Sequence, residues 1–444
     1  MFYSPVITNA NEVATSDRLH LFRYVEDETQ HTLATFVAHG GYQAWKKVLT
    51  SMKREDVIAE VKNSGLRGRG GAGFPTGMKW SFVPKDSPKP RYLICNADES
   101  EPGTCKDRVI MERDPHAVIE GMAIAAYAIG CKLMFCYIRG EFNHSIDQVE
   151  AAMKEAYAGG HLGKNIYGSG YDLDMVVHTG GGAYICGEET ALLNSLEGEK
   201  GMSRIRPPFP AIEGLYACPT IVNNVETVTA VPHIIKNGAA WYKTMGTEKS
   251  AGSKIFSLSG HVNRPGNYEV ELGFPLRKMI YDDAFGAGIR NGKKLKAVIP
   301  GGASTPYLKP DMIDVGLDYE SLASVGSMLG SGAIIVLDED TSIVWSIMKL
   351  IQFFHHESCG KCTPCREGTA WLDRVITRIW NGDGRSGDVQ KIDEVCTNIL
   401  GRTICPLGDA AVMPIQSTIK HFRDEWEYHI QHKKPPCANT FAFK

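Results

Sequence analysis

The hydrophobic pattern of this chain changes character three times, and each change predicts a different kind of structure. Residues 1 to 45 carry no sustained period and read as an irregular N-terminal extension. Between about 60 and 200, strand-length apolar runs alternate with helical stripes. Val57, Ile58 and Val61 share one face of a predicted helix from Asp56 to Ser64, which stops at Gly65. Tyr92-Leu93-Ile94-Cys95 predicts a short buried strand. Asp114 as cap and Pro115 at the first helical position open a helix to about Ile129. Leu133 to Ile138 predicts a strand, Ser145 to Tyr157 a helix, Leu173 to His178 a strand and Glu188 to Leu196 a helix. Such alternation predicts a parallel α/β sheet.

After about residue 250 the apolar runs shorten. Lys254 to Leu258, Tyr268 to Glu271, Lys296 to Ile299 and Ala333 to Leu337 read as strands separated by Gly and Pro, with one helix near Leu276 to Tyr281. A small α+β domain is expected there, with a β-grasp as its form. From Asp340 to His429 the period is helical, broken at a cysteine cluster, at Asn381 to Gly387 and at Gly401 to Pro406. About four helices result, a bundle. The expected division is an extension over 1–45, an α/β domain over 46–245, a second small domain over 250–338, a helical bundle over 340–430 and a tail over 431–444.

Composition narrows the function. Charged residues make up 22% of 444 and the formal net charge is −3, so no basic field exists to hold a nucleic-acid backbone. No run reaches the ~18 apolar residues of a membrane span. The segment Val118 to Ile138 is interrupted by Glu120 and Lys132 and reads as helix then strand. Met1-Phe2-Tyr3-Ser4-Pro5 has neither signal-peptide nor transit-peptide character, so a cytoplasmic location is expected. Twelve cysteines in such a chain point to metal or redox chemistry before disulfides.

Chemistry concentrates in a few segments. Cys359-Gly360-Lys361-Cys362-Thr363-Pro364-Cys365 lets three thiols converge from one loop, and Cys405-Pro406 supplies a distant fourth. That spacing resembles ligation of a [4Fe–4S] cluster. Structural zinc, the alternative, usually takes its cysteines in pairs. Cys396 competes as fourth ligand, but its setting reads as a helix face. His355 and His356 point apart on a helix and read as outer-layer or surface residues.

Gly68, Gly70 and Gly73 match the dinucleotide fingerprint literally, but they follow a helix and run into Phe74-Pro75. A phosphate cradle of another architecture is expected, helped by Arg69 and Lys79. Asn96-Ala97-Asp98-Glu99-Ser100-Glu101 follows a predicted strand and suits hydroxyl- and amide-bearing groups, because its carboxylates would repel phosphate. Gly180 to Glu189 is a second glycine loop between strand and helix, with Tyr184 as an aromatic face. Arg206-Pro207-Pro208-Phe209-Pro210 presents a cation and a ring, and Asn223-Asn224-Val225-Glu226-Thr227 adds amides and a hydroxyl.

Taken in order, GLRGRGGAGFPTG, NADESEPGT, GAYICGEETAL, RPPFP, VNNVET and SCGKCTPCREG closely resemble one family, the NADH- and FMN-binding subunit of type I NADH dehydrogenase, which is the NADH-quinone oxidoreductase of respiratory complex I. The resemblance covers about residues 50 to 430. It implies an α/β FMN-binding domain that is Rossmann-like but non-standard, a β-grasp domain and a helical bundle with a [4Fe–4S] cluster. It implies FMN contacts from Gly68, Arg69, Gly70, Gly71, Lys79, Asn96, Asp98, Ser100, Gly187, Glu188, Asn223, Asn224 and Thr227. It implies NADH contacts from Phe74, Phe82, Glu99, Glu101, Tyr184, Arg206 and Phe209, with Glu99 and Glu101 near the nicotinamide. Cluster ligands would be Cys359, Cys362, Cys365 and Cys405.

The implied activity is hydride transfer from NADH to FMN, then single-electron passage to the cluster and on towards quinone, with no side chain as proton donor. Implied partners are other peripheral-arm subunits, especially a small [2Fe–2S] subunit and a large multi-cluster subunit. The chain would sit on the cytoplasmic side of the inner membrane through that assembly, without inserting. The alternative is the flavin (diaphorase) subunit of an NAD-linked hydrogenase or formate dehydrogenase. Those relatives often carry an extra terminal domain, for which 45 leading residues and a tail of about 15 leave no room.

Overall fold

In the computed structural model, which describes residues 20–438, the strand pattern of the first half resolves into one parallel sheet. Its elements run α1 (Leu33–Ala38), α2 (Gln43–Ser51), α3 (Arg54–Ser64), α4 (Thr76–Ser81), β1 (Tyr92–Ala97), α5 (Lys106–Arg113), α6 (Pro115–Ile129), β2 (Leu133–Ile138), α7 (Asn143–Ala158), β3 (Asp174–Thr179), α8 (Glu189–Leu196), β4 (Thr220–Asn224), α9 (Val225–Asn237) and α10 (Ala239–Tyr242). The strand order is β3-β2-β1-β4, all parallel. The chain leaves β1 towards β2 and β3 on one side and reaches β4 on the other. The carboxyl ends of β1 and β4 therefore flank a topological switch point, where open α/β sheets bind ligands. Register sets Cys95 beside Asn223 and Asn96 beside Asn224.

Both faces of this sheet are covered, as a parallel sheet requires. Leu93, Cys95 and Ala97 of β1 bury into a core shared with α2, α3, α6 and α9. Ile94, with Tyr137 of β2 and Val222 of β4, faces the opposite way into a second core. The period-2 alternation of a strand thus splits the molecule into layers.

The second sheet holds β5 (Ser253–Gly260), β6 (Gly266–Glu271), β7 (Leu295–Ile299) and β8 (Ala333–Asp338), with α11 (Leu276–Tyr281) between β6 and β7 and α12 (Tyr319–Ser324) before β8. Its order is β6-β5-β8-β7. The central pair β5–β8 is parallel and both outer pairs are antiparallel. Phe256, Leu258, Val298, Ile334 and Val336 face a third core with α11 and α12. Ala297, Ile299 and Leu337 face the other way, into the second core.

That second core also contains the inner faces of α13 (Ile343–Glu357), α14 (Thr363–Trp380), α15 (Asp388–Ile399) and α16 (Leu407–His432). The four expected helices form, and they share their core with both sheets. Residue 340 is a change of secondary structure and not the edge of a core.

Two expectations change. The extension read over 1–45 is corrected for its described part: α1 and the start of α2 lie inside it, and Phe36, Tyr42 and Trp45 are buried. The backbone N–H groups of Leu21 and Phe22 donate to Glu269 of β6. Aromatic anchoring replaces helical periodicity there, which is why the pattern is silent; residues 1–19 lie outside the described residues. The chain also contains α5, β4 and α9, which the apolar pattern did not single out. β4 has only Ile221 and Val222 as an apolar run, and α9 carries Pro232 inside it.

Candidate functional site

The first glycine loop closes on itself. Gly68 N–H donates to Phe74 O at 2.9 Å and Thr76 N–H to Leu66 O at 2.9 Å. It is a self-bonded loop between α3 and α4, as its helix-then-proline context predicted, and not a strand-to-helix turn. Gly71 has φ +137°, open to glycine alone, and a Cβ built there would meet nothing within 4 Å. At Gly70 a Cβ would stand 3.1 Å from Cβ of Asn224, so the loop lies directly over the end of β4.

Arg69 corrects one expectation. Its side chain is 1% exposed and turns inward. The guanidinium donates to the carbonyls of Arg67, Ala251 and Ser253 and to Tyr242 Oη, at 3.0 to 3.3 Å. Its backbone N–H donates to Thr227 Oγ1 at 2.8 Å. A cation spent on protein acceptors braces the loop and does not reach a phosphate. Lys79 stays at the crevice, donating to Glu189 Oε2 at 2.6 Å and to Val222 O at 3.0 Å. Trp80 Nε1 donates to Asn223 Oδ1 at 2.8 Å.

At the end of β1, Asn96 Nδ2 donates to Gly187 O at 2.8 Å and joins the two expected loops. Asp98 is buried, and Ser100 Oγ donates to its Oδ2 at 3.2 Å while Oδ1 has no partner. Burial pushes Asp98 up to about 7. An orphan acceptor at the crevice needs a donor from outside the chain. The hydroxyls of a ribityl chain and the N–H of a flavin are such donors, so the residues present fit FMN.

Glu99 is the second correction. Its carboxylate accepts the N–H groups of Lys106, Asp107 and Arg108 at 2.9 to 3.0 Å, which makes it the cap of α5. It is turned into the helix start and is not presented to a nucleotide. Glu101 does face the crevice side: Tyr184 Oη donates to its Oε2 at 2.8 Å and Ser304 N–H to its Oε1 at 2.7 Å. Burial raises its pKa against those two donors.

Glu188 caps α8, accepting the N–H groups of Thr190 and Ala191. Arg206 reaches Glu189 at 3.2 Å and Glu188 at 3.3 Å. Phe74 and Phe82 are 45% and 46% exposed with ring centroids 6.1 Å apart, and Phe209 is 56% exposed. Rings left this open form a surface ready to stack on a planar base.

Behind the crevice lies a charge cluster that residue types and spacing did not reveal. Lys106 Nζ sits 2.8 Å from both Asp107 Oδ1 and Glu226 Oε2, and Lys254 Nζ sits 3.1 Å from Glu226 Oε2. Asn224 Nδ2 donates to Asp107 Oδ2 at 2.6 Å, tying the cluster to the crevice wall. Burial would raise Glu226, but Lys106, Lys254 and Arg69 outweigh it and bring it to about 2. Burial lowers Lys254 to about 7. The available signal was Lys254, a charge at an inward position of a strand.

The cysteines gather elsewhere. Cys359 lies in the α13–α14 loop, Cys362 caps α14, Cys365 is in its first turn and Cys405 precedes α16. Burial pushes Cys365 up to about 11, with further upward contributions from Cys362, Cys405 and Cys359. Cys396 stands on α15, pushed up by burial and Asp393. Among the described residues no three His, Cys, Asp or Glu side chains are spaced to hold a single metal ion. Cys359, Cys362 and Cys405 all bear electrostatically on Cys365, and thiols are the donors that a [4Fe–4S] cluster takes, one to each iron. His355 pairs with Asp373 at 2.9 Å and His356 is exposed, as expected of outer-layer and surface residues.

Residues 61–233 match the Nuo51 FMN-binding domain, and residues 346–429 match the NADH-ubiquinone oxidoreductase-F iron-sulfur binding region. The chain is 51% identical over 416 residues to an F subunit (F 2) of NADH-quinone oxidoreductase in Rhizobium meliloti, covering 94% of this chain and 98% of that one. It is 53% identical to the NADH-quinone oxidoreductase F subunit of Mycobacterium tuberculosis, covering 92% and 93%. A crystal structure of an NAD+-reducing [NiFe]-hydrogenase in the H2-reduced state superposes with a TM-score of 0.81 at 35% identity. That match covers 93% of this chain and 66% of the solved one.

Proposed function

Since the chain belongs to the F-subunit family of NADH-quinone oxidoreductases, we propose that the crevice between β1 and β4 seats FMN and that NADH approaches it over the exposed rings. The observation that carries this reading is the buried, unpartnered Oδ1 of Asp98 at the switch point of the parallel sheet. When bound, FMN takes a hydride from NADH and gives up electrons singly, the only form in which a [4Fe–4S] cluster accepts them.

The chain's own work is positioning. Gly68, Gly70 and Gly71, with the walls of Asn223, Asn224 and Thr227, would hold the phosphate end. Asn96, Asp98, Ser100, Gly187 and Glu188 would hold the ribityl chain and ring edge, and Lys79 would add a cation. Arg69 would contribute backbone only, and Glu99 acts through α5. Phe74, Phe82 and Phe209 would stack the nucleotide's bases, with Tyr184, Glu101 and Arg206 fixing its polar parts. Cys359, Cys362, Cys365 and Cys405 would hold the cluster.

The second sheet reads as a β-grasp: two antiparallel outer pairs joined by a parallel centre, with one helix after the first hairpin. The division into α/β domain, β-grasp and bundle is part of this proposed reading. No helix among the described residues is long and apolar enough to cross a membrane. Electrons would therefore leave through protein partners, a small [2Fe–2S] subunit and a large multi-cluster subunit, on the cytoplasmic face of the membrane. The hydrogenase reading is weaker: identity is 35% to that solved chain and 51% or more to the F-subunit relatives.

The test is anaerobic purification of Asp98→Ala beside the unaltered chain, with flavin, iron and sulfide assays. Flavin should fall at least tenfold while iron and sulfide stay. Full flavin occupancy in the variant would move the FMN seat away from this crevice.

A further inference from the structure

The crevice poses a charge problem. A phosphate monoester brings roughly two negative charges, yet the cations on the crevice wall are already paired, Lys79 with Glu189 and Arg206 with Glu188 and Glu189. Arg69 is turned inward onto carbonyls. Behind the glycine loop, however, stands a buried cation with a weaker claim on its anion.

Lys254 Nζ donates to Glu226 Oε2 at 3.1 Å and to the backbone oxygen of Arg69 at 3.3 Å. The same Glu226 oxygen serves Lys106 at the shorter distance of 2.8 Å, and Lys106 has Asp107 as well. Lys254 therefore shares one carboxylate, although its side chain is fully buried. The fold leaves a place for it at Gly332, where a Cβ would stand 2.5 Å from Lys254 Cε.

Arg69 is held on both sides of its backbone, because its N–H donates to Thr227 Oγ1 at 2.8 Å and its oxygen accepts from Lys254. The peptide from Arg69 to Gly70 is trans, so its N–H points opposite to its C=O. With the oxygen turned inward to Lys254, the Gly70 N–H faces outward, at an exposed position over the end of β4. It finds no acceptor among the described residues. A cation on a carbonyl polarises the whole peptide and strengthens the donor at its other end.

We propose that Lys254 is a positioning residue for the flavin's phosphate, aiming the Gly70 N–H at it and supplying counter-charge from behind the backbone. This rests on the reading that the glycine loop holds the phosphate end of FMN. The loop then needs no cation of its own in the crevice. The arrangement also gives the buried charge cluster a task beyond bracing the sheet.

The experiment compares FMN with riboflavin, which lacks the phosphate, by fluorescence titration of the full chain, isolated with its native partners and depleted of flavin. The native chain should bind FMN at least ~10-fold more tightly than riboflavin, the size of one hydrogen bond to a charged group. Lys254→Met should remove most of that preference by weakening FMN, with riboflavin kept within about twofold. The double variant Lys254→Met, Glu226→Gln removes both charges of the pair together, the replacement a core tolerates better than loss of one partner, and should show the same loss. Equal weakening of both flavins overturns the proposal and makes 254 a packing position. A native ratio of FMN to riboflavin affinity in either variant overturns it too, as does a native chain that binds both flavins alike. Failure of the crevice reading is seen separately, as full flavin occupancy in Asp98→Ala.

Discussion

The crevice and the cysteine group solve opposite problems. The crevice is built from five separate segments, several of whose polar side chains are already paired across it, while Asp98 Oδ1 and Thr76 Oγ1 are buried without a partner. The cysteine group is built from two segments, with Cys365 and Cys405 buried and their proton affinity raised by that burial, and Cys359 and Cys362 partly exposed. A flavin is large and largely neutral at its ring, so the protein can shape the seat in advance. A cluster needs thiolates, whose mutual repulsion only the iron can offset. The flavin seat should therefore survive loss of the cluster, and the cysteine pocket should depend on its metal.

The largest expected effect is at Cys362. Cys362→Ser should abolish the low-temperature EPR signal of the reduced cluster and retain most of the FMN. Joint loss of flavin would mean that the core shared by α8, β7 and the bundle couples the two sites tightly.

Next is the buried charge cluster. Glu226→Ala leaves Lys254 without its anion and Lys106 with only Asp107, a change of the kind that costs about 3–5 kcal/mol. Chemical denaturation should show that loss. A variant within about 1 kcal/mol of the native chain would mean that Lys254 gives up its proton instead, as its depressed pKa of about 7 permits.

Asp98 gives a pH-dependent effect. Its carboxyl is raised from 3.8 to about 7 in the folded chain, so the folded state binds the proton more tightly than the unfolded state. Stability of the FMN-free protein is then fully present below about 3.8 and is lost as pH rises through about 7. Asp98→Asn should remove that loss, with a ceiling of about 4 kcal/mol at pH 8 and no gain near pH 4. A pH-independent difference would place the charge cost elsewhere. The smallest effect is at Cys396: Cys396→Ala should leave the EPR signal unchanged, and a lost signal would make it the fourth ligand in place of Cys405.

Much of this was legible in the chain. Cys359 to Cys365 stood out as a candidate cluster loop because three cysteines fall within seven consecutive residues. The strands with uninterrupted apolar runs, β1, β2 and β8, were visible because burial on both faces demands such runs. The glycine loop's departure from the dinucleotide fold followed from Phe74-Pro75, since proline and its predecessor resist a continuing helix. Each of these signals is local: it depends on neighbours within a few positions.

What only the tertiary structure decided is where side chains point and what they meet. Arg69 and Glu99 look like ligands in any reading by residue type, yet one braces β5 and the other caps α5. Lys106, Glu226 and Lys254 are scattered across about 150 residues, and their pairing exists only because α5, α9 and β5 are brought together. Charge and hydrogen-bonding capacity belong to the residue, but burial and the choice of partner belong to the packed chain, and it is those two that turn a polar group into a brace, a cap or a ligand.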